Sequence, residues 1–264
     1  MSRYYGIFKD IARMYEGNLT ECGVYDDIFS TVYTKLNGDT HELSYYLENA
    51  RVAGKRVLEV ACGDGGNYMI PLARKGFDVD GVEISTSMID RFREKAQKLP
   101  EKVRKHLKIY HADIFDFEPE HLYDLIIIPS TTICLLADDD ERLRLLFDKM
   151  YSFMEPGGRF MFDYRTDQLL GDEYESDVMT MCNPENEFLM LLQEFNNREP
   201  GISMVNMYVE TPKEKYLASS SKRIITDQLI ENMINEGRFV RHNSYNVTIP
   251  NATIKLQVLK KEAV

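Results

Sequence analysis

The segment Val57-Leu58-Glu59-Val60-Ala61-Cys62-Gly63-Asp64-Gly65-Gly66-Asn67 decides the fold of this chain. Its first four residues are typical of a β-strand, and Met69, Leu72 and Ala73 then fall on one face of a helix. Glycines therefore occupy the turn between a strand and a helix. Because glycine lacks a Cβ, a ligand can approach this backbone closely. Open α/β sheets bind ligands at the carboxyl ends of their strands, so the segment predicts a binding site.

Short apolar runs and amphipathic segments alternate through the first two thirds of the chain. Strands are predicted at residues 57–60, 77–82, 107–110, 125–128 and 160–162, with helices between them. This β–α alternation predicts a parallel sheet covered by helices on both faces. Further on, the pattern predicts an antiparallel hairpin of residues 188–195 and 202–209. A final antiparallel strand pair is predicted near residues 239–241 and 254–259.

Composition narrows the class of protein. The chain has 264 residues and a formal net charge of −11. An acidic surface repels nucleic-acid phosphates, so we expect no nucleic-acid partner. No segment reaches the roughly 20 apolar residues of a membrane helix, and the N-terminus has no apolar signal core. The cysteines form no closely spaced pair of the kind a zinc site needs. We therefore expect a cytoplasmic protein that does not bind membranes.

Acidic residues end the predicted strands around the glycine-rich turn. Glu59 precedes Gly63 by four positions, Glu83 follows Gly63 by 20, and Asp113 ends the third strand. Together with Tyr123-Asp124-Leu125-Ile126 and Glu155-Pro156-Gly157-Gly158, this set resembles the class I S-adenosylmethionine-dependent methyltransferases. The resemblance covers residues from about 25 to 163. It implies an α/β fold with a Rossmann-like parallel sheet, S-adenosylmethionine as the cofactor, and methyl transfer as the activity.

The same resemblance implies roles for individual residues. Glu59 meets the cofactor's amine, Glu83 its ribose hydroxyls and Asp113 its adenine, while the methionine part lies beside Pro129 and Ser130. Other predicted cofactor contacts come from the same segments and from the N-terminus: Gly63, Asp64, Gly65, Ile84, Met88, Ile114, Tyr25 and Tyr33. The rival interpretation is a nicotinamide-binding fold. That fingerprint requires a third glycine at position 68, where this chain has Tyr68.

The N-terminal region is rich in tyrosine and is predicted to be helical. Residues 1–50 hold seven of the 16 tyrosines. They either pack as ordinary helices or form a lid over the methyl donor, since aromatic rings attract cations. We therefore predict a helical N-terminal lid at residues 1–50 and a methyltransferase domain at residues 51–264. Within that domain, residues 167–220 are predicted to form an antiparallel β insertion on the substrate side, after the fifth strand.

The methyl acceptor is predicted to be an amine. The chain loosely resembles N-methyltransferases of amino sugars and other natural products, through Tyr25-Asp26-Asp27-Ile28-Phe29 and the predicted insertion. No histidine falls at the predicted end of the fourth or fifth strand, so the sequence offers no evident base for a hydroxyl acceptor. An amine needs only to lose a proton, and Asp163 and Tyr164 are the predicted catalytic residues. The predicted substrate is a small molecule or short peptide. The alternatives are O-methylation of a phenol or carboxylate, and non-catalytic cofactor binding.

Two acidic segments each admit two interpretations. Residues 166–187 carry seven acids and no lysine or arginine, which either attract a cationic substrate or form a solvated loop. Asp138-Asp139-Asp140 either suggests a metal site or begins a helix, whose N-terminus favours acids. We favour the solvated loop and the helix start, and we predict no metal. The identity of the acceptor, the number of methyl groups added and the oligomeric state do not follow from the sequence.

Overall fold

The computed structural model describes residues 3–36, 42–168, 170–183, 188–197, 199–249 and 252–262. Contacts between residues divide the chain into two compact units. The larger unit comprises Asn37–Asp167 and Ile225–Val264, and the smaller comprises Met1–Leu36 and Gln168–Ile224. Each unit therefore combines segments that are distant in sequence.

Helices and strands alternate along much of the chain. The helices are α1 (Gly6–Met14), α2 (Asp27–Leu36), α3 (Leu43–Ala53), α4 (Met69–Arg74), α5 (Thr86–Gln97), α6 (Glu101–Arg104), α7 (Ile133–Leu136), α8 (Asp140–Ser152) and α9 (Asp227–Glu236). The strands are β1 (Thr20–Glu21), β2 (Arg56–Val60), β3 (Asp78–Glu83), β4 (Leu107–His111), β5 (Tyr123–Ile128), β6 (Met154–Arg165), β7 (Tyr174–Glu175), β8 (Met179–Asn183), β9 (Phe188–Asn196), β10 (Ile202–Glu210), β11 (Lys215–Arg223), β12 (Val240–Ile249) and β13 (Ala252–Lys260). None of the helices in the described ranges is long and apolar enough to span a bilayer.

The sheet of the larger unit confirms the predicted architecture. Its strands run in the order β12-β13-β6-β5-β2-β3-β4. The five strands from β6 to β4 are parallel, whereas β13 pairs antiparallel with both β6 and β12. The sheet is therefore Rossmann-like with a final antiparallel strand pair, and its parallel strands end at one shared edge.

Helices cover both faces of this sheet with their apolar sides. Residues 125–128 of β5 are fully buried, as expected for a central parallel strand with helices on either side. One core joins the even-numbered Ile126 and Ile128 to Leu143 and Leu146 of α8. The other core joins Leu125 and Ile127 of the same strand to α3, α4 and α5. The alternation of side chains along β5 thus builds both cores.

The N-terminal region is divided between the two units, which differs from the predicted single lid at residues 1–50. On α3, Tyr46 and Ala50 are buried in the second core of the larger unit. On α1, Phe8 instead packs edge-on against Phe195 of β9, with ring centroids 6.4 Å apart. Apolar burial decides the assignment, because each helix joins the sheet that covers its apolar face.

The smaller unit contains the predicted antiparallel insertion. Its sheet has the order β1-β11-β10-β9-β7, and β8 also pairs with β9. Strands β9 and β10 form the predicted hairpin, with Ser203 opposite Asn196 and Glu210 opposite Leu189. Strand β11 extends the hairpin on its other side. The fold prediction of an antiparallel insertion after the parallel strands is confirmed.

Helix α8 begins where the three consecutive aspartates lie. The Asp139 carboxylate accepts a hydrogen bond of 2.7 Å from the backbone N–H of Arg142. Asp139 is therefore the N-cap of α8, and Asp140 lies in its first turn. Of the two interpretations of the three aspartates, the start of a helix agrees with the observed geometry.

Replacing Asp139 by Ala removes the acceptor of this cap. We expect Asp139→Ala to lower the free energy of unfolding by about 1 kcal/mol, measured by urea denaturation. Asp138→Ala is the matched control, since that exposed residue precedes the cap and should change stability by less than about 0.5 kcal/mol. Equal losses from the two variants would contradict the assignment of Asp139 as the cap.

Candidate cofactor site

The candidate site lies at the carboxyl edge of the parallel strands, within the larger unit. The glycine-rich turn follows β2 and contains several residues with left-handed backbone. The φ angles are +53° at Ala61, +56° at Gly63 and +67° at Gly65. A Cβ built on Gly65 would lie 2.7 Å from the ring of Phe92, whereas one built on Gly63 meets no atom of the described residues within 4 Å. The absence of a side chain at Gly65 thus lets Phe92 pack against the turn, whereas at Gly63 it leaves open space beside the turn.

Glu59 contributes a buried carboxylate beneath the turn. It is 2% exposed, and its Oε2 has no hydrogen-bond partner among the described residues. Burial raises the pKa of Glu59 well above its usual range, and the nearby Glu83 and Asp64 carboxylates raise it further. A cationic group placed beside Oε2 would favour the ionised form. This donor chemistry fits the amine that was predicted to meet Glu59.

Glu83 ends β3 and bonds to backbone on both sides. Its Oε2 accepts from the N–H of Gly63 at 2.7 Å, and its Oε1 accepts from the N–H groups of Ile84 and Ser85 at 2.9 and 2.8 Å. An ionised carboxylate offers about four acceptor positions. With three in use, the observed arrangement leaves room for one further donor. Of the two predicted contacts to ribose hydroxyls, this arrangement accommodates one.

An apolar cleft opens next to Glu83. It has a volume of about 180 Å³ and is lined by Ala61, Ile84, Asp113, Ile114, Leu136 and Arg142, among others. Ile84 is 64% exposed, which is high for an isoleucine and leaves an aliphatic surface for a flat ring to cover. The Asp113 Oδ1 accepts from the N–H of Phe115 at 2.9 Å. The structure thus brings Asp113, predicted near the adenine, together with Ile84 and Ile114, two other predicted cofactor contacts.

Arg142 is a cleft residue that the sequence analysis missed. Its guanidinium lies 3.9 Å from the centroid of the Phe115 ring and 3.9 Å from the Asp113 Oδ2. Its Nε donates to the Leu136 carbonyl at 3.3 Å. Arg142 therefore connects α7 to the loop after β4, the two walls of the cleft. The sequence held one signal for Arg142. The helix dipole disfavours a positive charge in the first turn of a helix, so an arginine there indicates a favourable contact elsewhere.

The loop after β5 carries two strained residues in succession. Ser130 and Thr131 have φ angles of +60° and +55°, a conformation that costs a non-glycine residue roughly 1–2 kcal/mol. Their backbone N–H groups both donate to the carboxylate of Asp163, with Ser130 at 3.0 Å. Pro129 before them is buried, while Ser130 is exposed. The predicted Pro129–Ser130 position therefore lies at the same edge as the glycine turn.

Asp163 lies at the predicted edge but not at the protein surface. It is fully buried, and Tyr46 adds a hydrogen bond of 2.7 Å to its Oδ2. Burial raises the pKa of Asp163 to about 7, although the bonds from Tyr46 and Thr131 oppose the shift. A substrate amine cannot reach a carboxylate that protein donors enclose. The structure therefore does not support the predicted direct contact between Asp163 and the substrate.

Tyr164, the second predicted catalytic residue, belongs to the opposite core. Its side chain is fully buried, donates to the Asp227 carboxylate at 2.7 Å and accepts from Gln257 at 3.2 Å. Successive residues of a strand point to opposite faces, so Tyr164 is directed away from Asp163. It packs between β6, β13 and α9 rather than facing the cleft. The prediction for Tyr164 is therefore replaced by a structural role.

The other predicted cofactor contacts either face away from the cleft or belong to the smaller unit. Asp64 turns to its own loop, accepting from the Gly66 N–H at 3.0 Å and pairing with the Lys95 ammonium at 2.7 Å. Met88 on α5 is 1% exposed, which places it in the interior rather than at the cleft. Tyr25 and Tyr33 belong to the smaller unit, and the Tyr33 side chain lies outside the described part of the chain. The lid role of both tyrosines stays a prediction.

The sequence of this region matches known methyltransferases. Residues 57–158 match the family model described as a methyltransferase domain. Over 139 residues the chain is 24% identical to a Geobacillus sp. (strain WCH70) protein named only as a methyltransferase, covering 53% of this chain and 54% of that protein. Over 221 residues it is 23% identical to the phosphoethanolamine N-methyltransferase of Plasmodium falciparum, covering 76% and 79%. The chain thus spans about half the length of the first of these relatives.

Solved structures share the fold. One is an S-adenosylmethionine-dependent methyltransferase from Clostridium acetobutylicum, with a TM-score of 0.68, 14% identity, and coverage of 98% of this chain and 100% of that chain. Another is S-adenosylmethionine-bound CalS10 from Micromonospora echinaspora, an amino pentose methyltransferase involved in calicheamicin biosynthesis. Its TM-score is 0.67 at 15% identity, with coverage of 91% and 99%. At these identities the likeness shows the fold alone.

Residues 57–158 carry a methyltransferase domain, and the fold is the one found in solved S-adenosylmethionine-dependent methyltransferases. One of these solved structures holds bound S-adenosylmethionine. The residues present fit that cofactor. Gly63 leaves space beside the backbone, Glu59 holds an unpartnered buried oxygen for a cation, and an apolar cleft lies beyond Glu83.

The two glycines of the turn should respond differently to a methyl group. We expect Gly63→Ala to weaken binding of S-adenosylhomocysteine by roughly tenfold or more, because the new Cβ enters the open space next to the turn. Gly65→Ala should instead lower the melting temperature most, because its Cβ meets Phe92. Titration calorimetry and thermal unfolding of both variants check this. A Gly63→Ala protein that binds like the wild type would contradict the placement.

Arg142 and Arg144 form a matched pair on α8. Their side chains are 44% and 49% exposed, but Arg144 pairs with Glu236 and does not line the cleft. We expect Arg142→Ala to raise the dissociation constant for S-adenosylhomocysteine by about three- to tenfold, since one hydrogen bond and one ring contact are lost. Arg144→Ala should leave the constant unchanged. Equal effects would show that the loss is a general effect of charge.

Proposed function

We propose that this protein transfers the methyl group of S-adenosylmethionine to an amine of a small molecule or peptide. The observation that carries the proposal is the arrangement at the carboxyl edge. There an open glycine turn, a buried carboxylate with an unpartnered oxygen and an apolar cleft lie side by side. This is the set of groups that a bulky cationic adenosyl cofactor requires.

The residues of the chain supply binding and alignment. Bound S-adenosylmethionine supplies an activated methyl group on a sulfonium. Glu59 offers a carboxylate oxygen to the cationic amine, and Glu83 offers one acceptor position to a hydroxyl. Asp113 and Arg142 frame the far end of the cleft. Rate acceleration then comes from holding the acceptor in line with the methyl group and from excluding water.

The contacts of the described histidines support an amine over a hydroxyl acceptor. His106 lies 2.5 Å from the Asp78 carboxylate, and His121 lies 3.5 Å from that of Asp80. The ring of His111 bonds to the Ile84 carbonyl at 3.0 Å, on the side of the cleft. None of these contacts involves the loop after β5. His242 is exposed on β12, and His41 lies outside the described residues. A neutral amine is nucleophilic without a base, whereas a hydroxyl usually needs one.

Two relatives also support an amine. One is named for N-methylation of phosphoethanolamine, and one solved structure is named as an amino pentose methyltransferase. Both names describe those proteins, and both acceptors carry an amine.

The acidic segment adds a weaker argument for a cationic substrate. Asp167 forms a two-pronged pair with Arg165, at 2.9 and 3.0 Å, so its charge is partly balanced. Asp172, Glu173 and Glu175 are exposed. Exposed acids are what a solvated loop shows, and they also raise the local concentration of cations at low ionic strength. We keep the solvated loop as the preferred interpretation.

Transfer of labelled methyl groups tests the proposal. Purified protein is incubated with S-adenosylmethionine labelled on the methyl group and with a panel of amines, phenols, carboxylates and short peptides. We expect label on nitrogen, and the rate should rise with pH until the acceptor amine is deprotonated. Label on oxygen would replace the proposal with O-methylation. Tight cofactor binding without label on any acceptor would favour the non-catalytic alternative.

A further inference from the structure

The buried Asp163 carboxylate has no contact with the cleft, yet it organises the loop beside it. We propose that Asp163 is a positioning residue that holds Ser130 and Thr131 in their left-handed conformation and so shapes the cofactor site. This inference rests on the presence of the cofactor site and is independent of which acceptor is methylated.

Backbone geometry is the first support. Two consecutive residues other than glycine have positive φ, and the second, Thr131, is β-branched and therefore especially averse to this region. Their successive N–H groups point to one side, as in the concave backbone arrangements that bind anions. Asp163 Oδ2 accepts from Ser130 and Oδ1 from Thr131, one bond for each oxygen. The carboxylate acts as the built-in anion of this loop.

Two tyrosines fix the same loop through its side chains. Tyr46 of α3 donates to Asp163 Oδ2 at 2.7 Å, and its ring packs edge-on against Tyr68 at 5.2 Å. The Tyr68 hydroxyl donates to Glu42 Oε2 and lies 3.2 Å from the Ser130 hydroxyl. Tyr68 follows the glycine turn directly, so the cluster couples that turn to the loop after β5. A shift of Asp163 is therefore transmitted to both sides of the cofactor site.

The protonation state of Asp163 gives a readout that a passive structural role would not show. Burial and the Glu42 carboxylate raise the pKa of Asp163, and the bonds from Tyr46 and Thr131 lower it. The resulting pKa is about 7. The titratable groups that face it are Glu42, Tyr46 and Tyr68. Protonation turns one oxygen of Asp163 into a hydroxyl, which is a weaker acceptor than a carboxylate oxygen, so the N–H group on that side is held less tightly. Cofactor binding should therefore weaken as the pH falls through this value.

Stability responds to the same proton in the opposite direction. Because the pKa of Asp163 is higher in the folded chain than in the unfolded chain, its contribution to stability is fully present at low pH. That contribution is lost as the pH rises through about 7. Lowering the pH from about 8 to about 6 should therefore strengthen this group's contribution to folding while weakening the binding of S-adenosylhomocysteine.

The test compares Asp163→Asn with Asp227→Asn. Asparagine has one acceptor oxygen and cannot serve both N–H groups. Asp227 is a matched control, since it also accepts from a tyrosine hydroxyl at 2.7 Å, that of Tyr164, and it does not line the cleft. By titration calorimetry with S-adenosylhomocysteine at about pH 8, we expect the dissociation constant to rise about tenfold in Asp163→Asn and to stay constant in Asp227→Asn. Tyr46→Phe keeps both backbone bonds and should cause a rise of only about two- to threefold.

Each result decides for or against the proposal. A folded Asp163→Asn protein with wild-type affinity would overturn it. So would a variant with normal affinity whose kcat falls about a hundredfold at saturating cofactor, because Asp163 would then act on the reaction itself. If Asp163→Asn does not fold, a pH series on Glu59→Gln decides, since that variant lacks the other buried carboxyl group of raised pKa at the cofactor site. Binding that still weakens as the pH falls through about 7 supports the proposal, and binding independent of pH in that variant overturns it. Failure to find any methyl acceptor would refute the proposed function and leave this binding test intact.

Discussion

Sharp turns at the carboxyl edge of the sheet leave backbone N–H groups without partners in the sheet, and carboxylates at the strand ends accept hydrogen bonds from them. Glu83 serves the glycine turn and the end of β3, Asp163 serves the loop after β5, and Asp113 serves the loop after β4. A buried N–H without an acceptor is costly, and a carboxylate can satisfy several at once. These acids therefore determine the shape of the edge before any ligand binds, and the left-handed residues persist because of them.

Much of the fold could be predicted because its signals are local. The strand at Val57–Val60 and the glycine turn after it are contiguous in sequence, and the buried strand at residues 125–128 is a continuous apolar run. Each parallel strand predicted in the larger unit is present, and the hairpin after residue 188 is as expected. Periodicity within about ten residues is enough to predict such elements.

The direction of an acidic side chain could not be predicted in the same way. The sequence shows that Asp163 ends a strand, but its partners Thr131 and Tyr46 are 32 and 117 positions away. An acid at a strand end serves either a ligand or a neighbouring N–H, and only the tertiary structure distinguishes the two. The division of the N-terminal region was missed for a related reason. Both α1 and α3 are amphipathic, and amphipathicity does not specify which sheet each helix covers.

Glu59 differs from the other acids of the edge in what its carboxylate is left to bind. Its Oε2 is buried without a partner among the described residues, and burial keeps its pKa well above the usual range. A proton and a cationic ligand therefore compete for one oxygen. In a chain with a net charge of −11, Glu83 and Asp64 raise the affinity of that oxygen for either cation. These acids repel an ionised Glu59 in the free protein, whereas a bound cation favours its ionisation and is itself attracted by all three carboxylates. Burial of Glu59 therefore makes the site selective for a cationic ligand over a neutral one. A neutral ligand of the same shape would leave the carboxyl group either protonated or ionised without a partner.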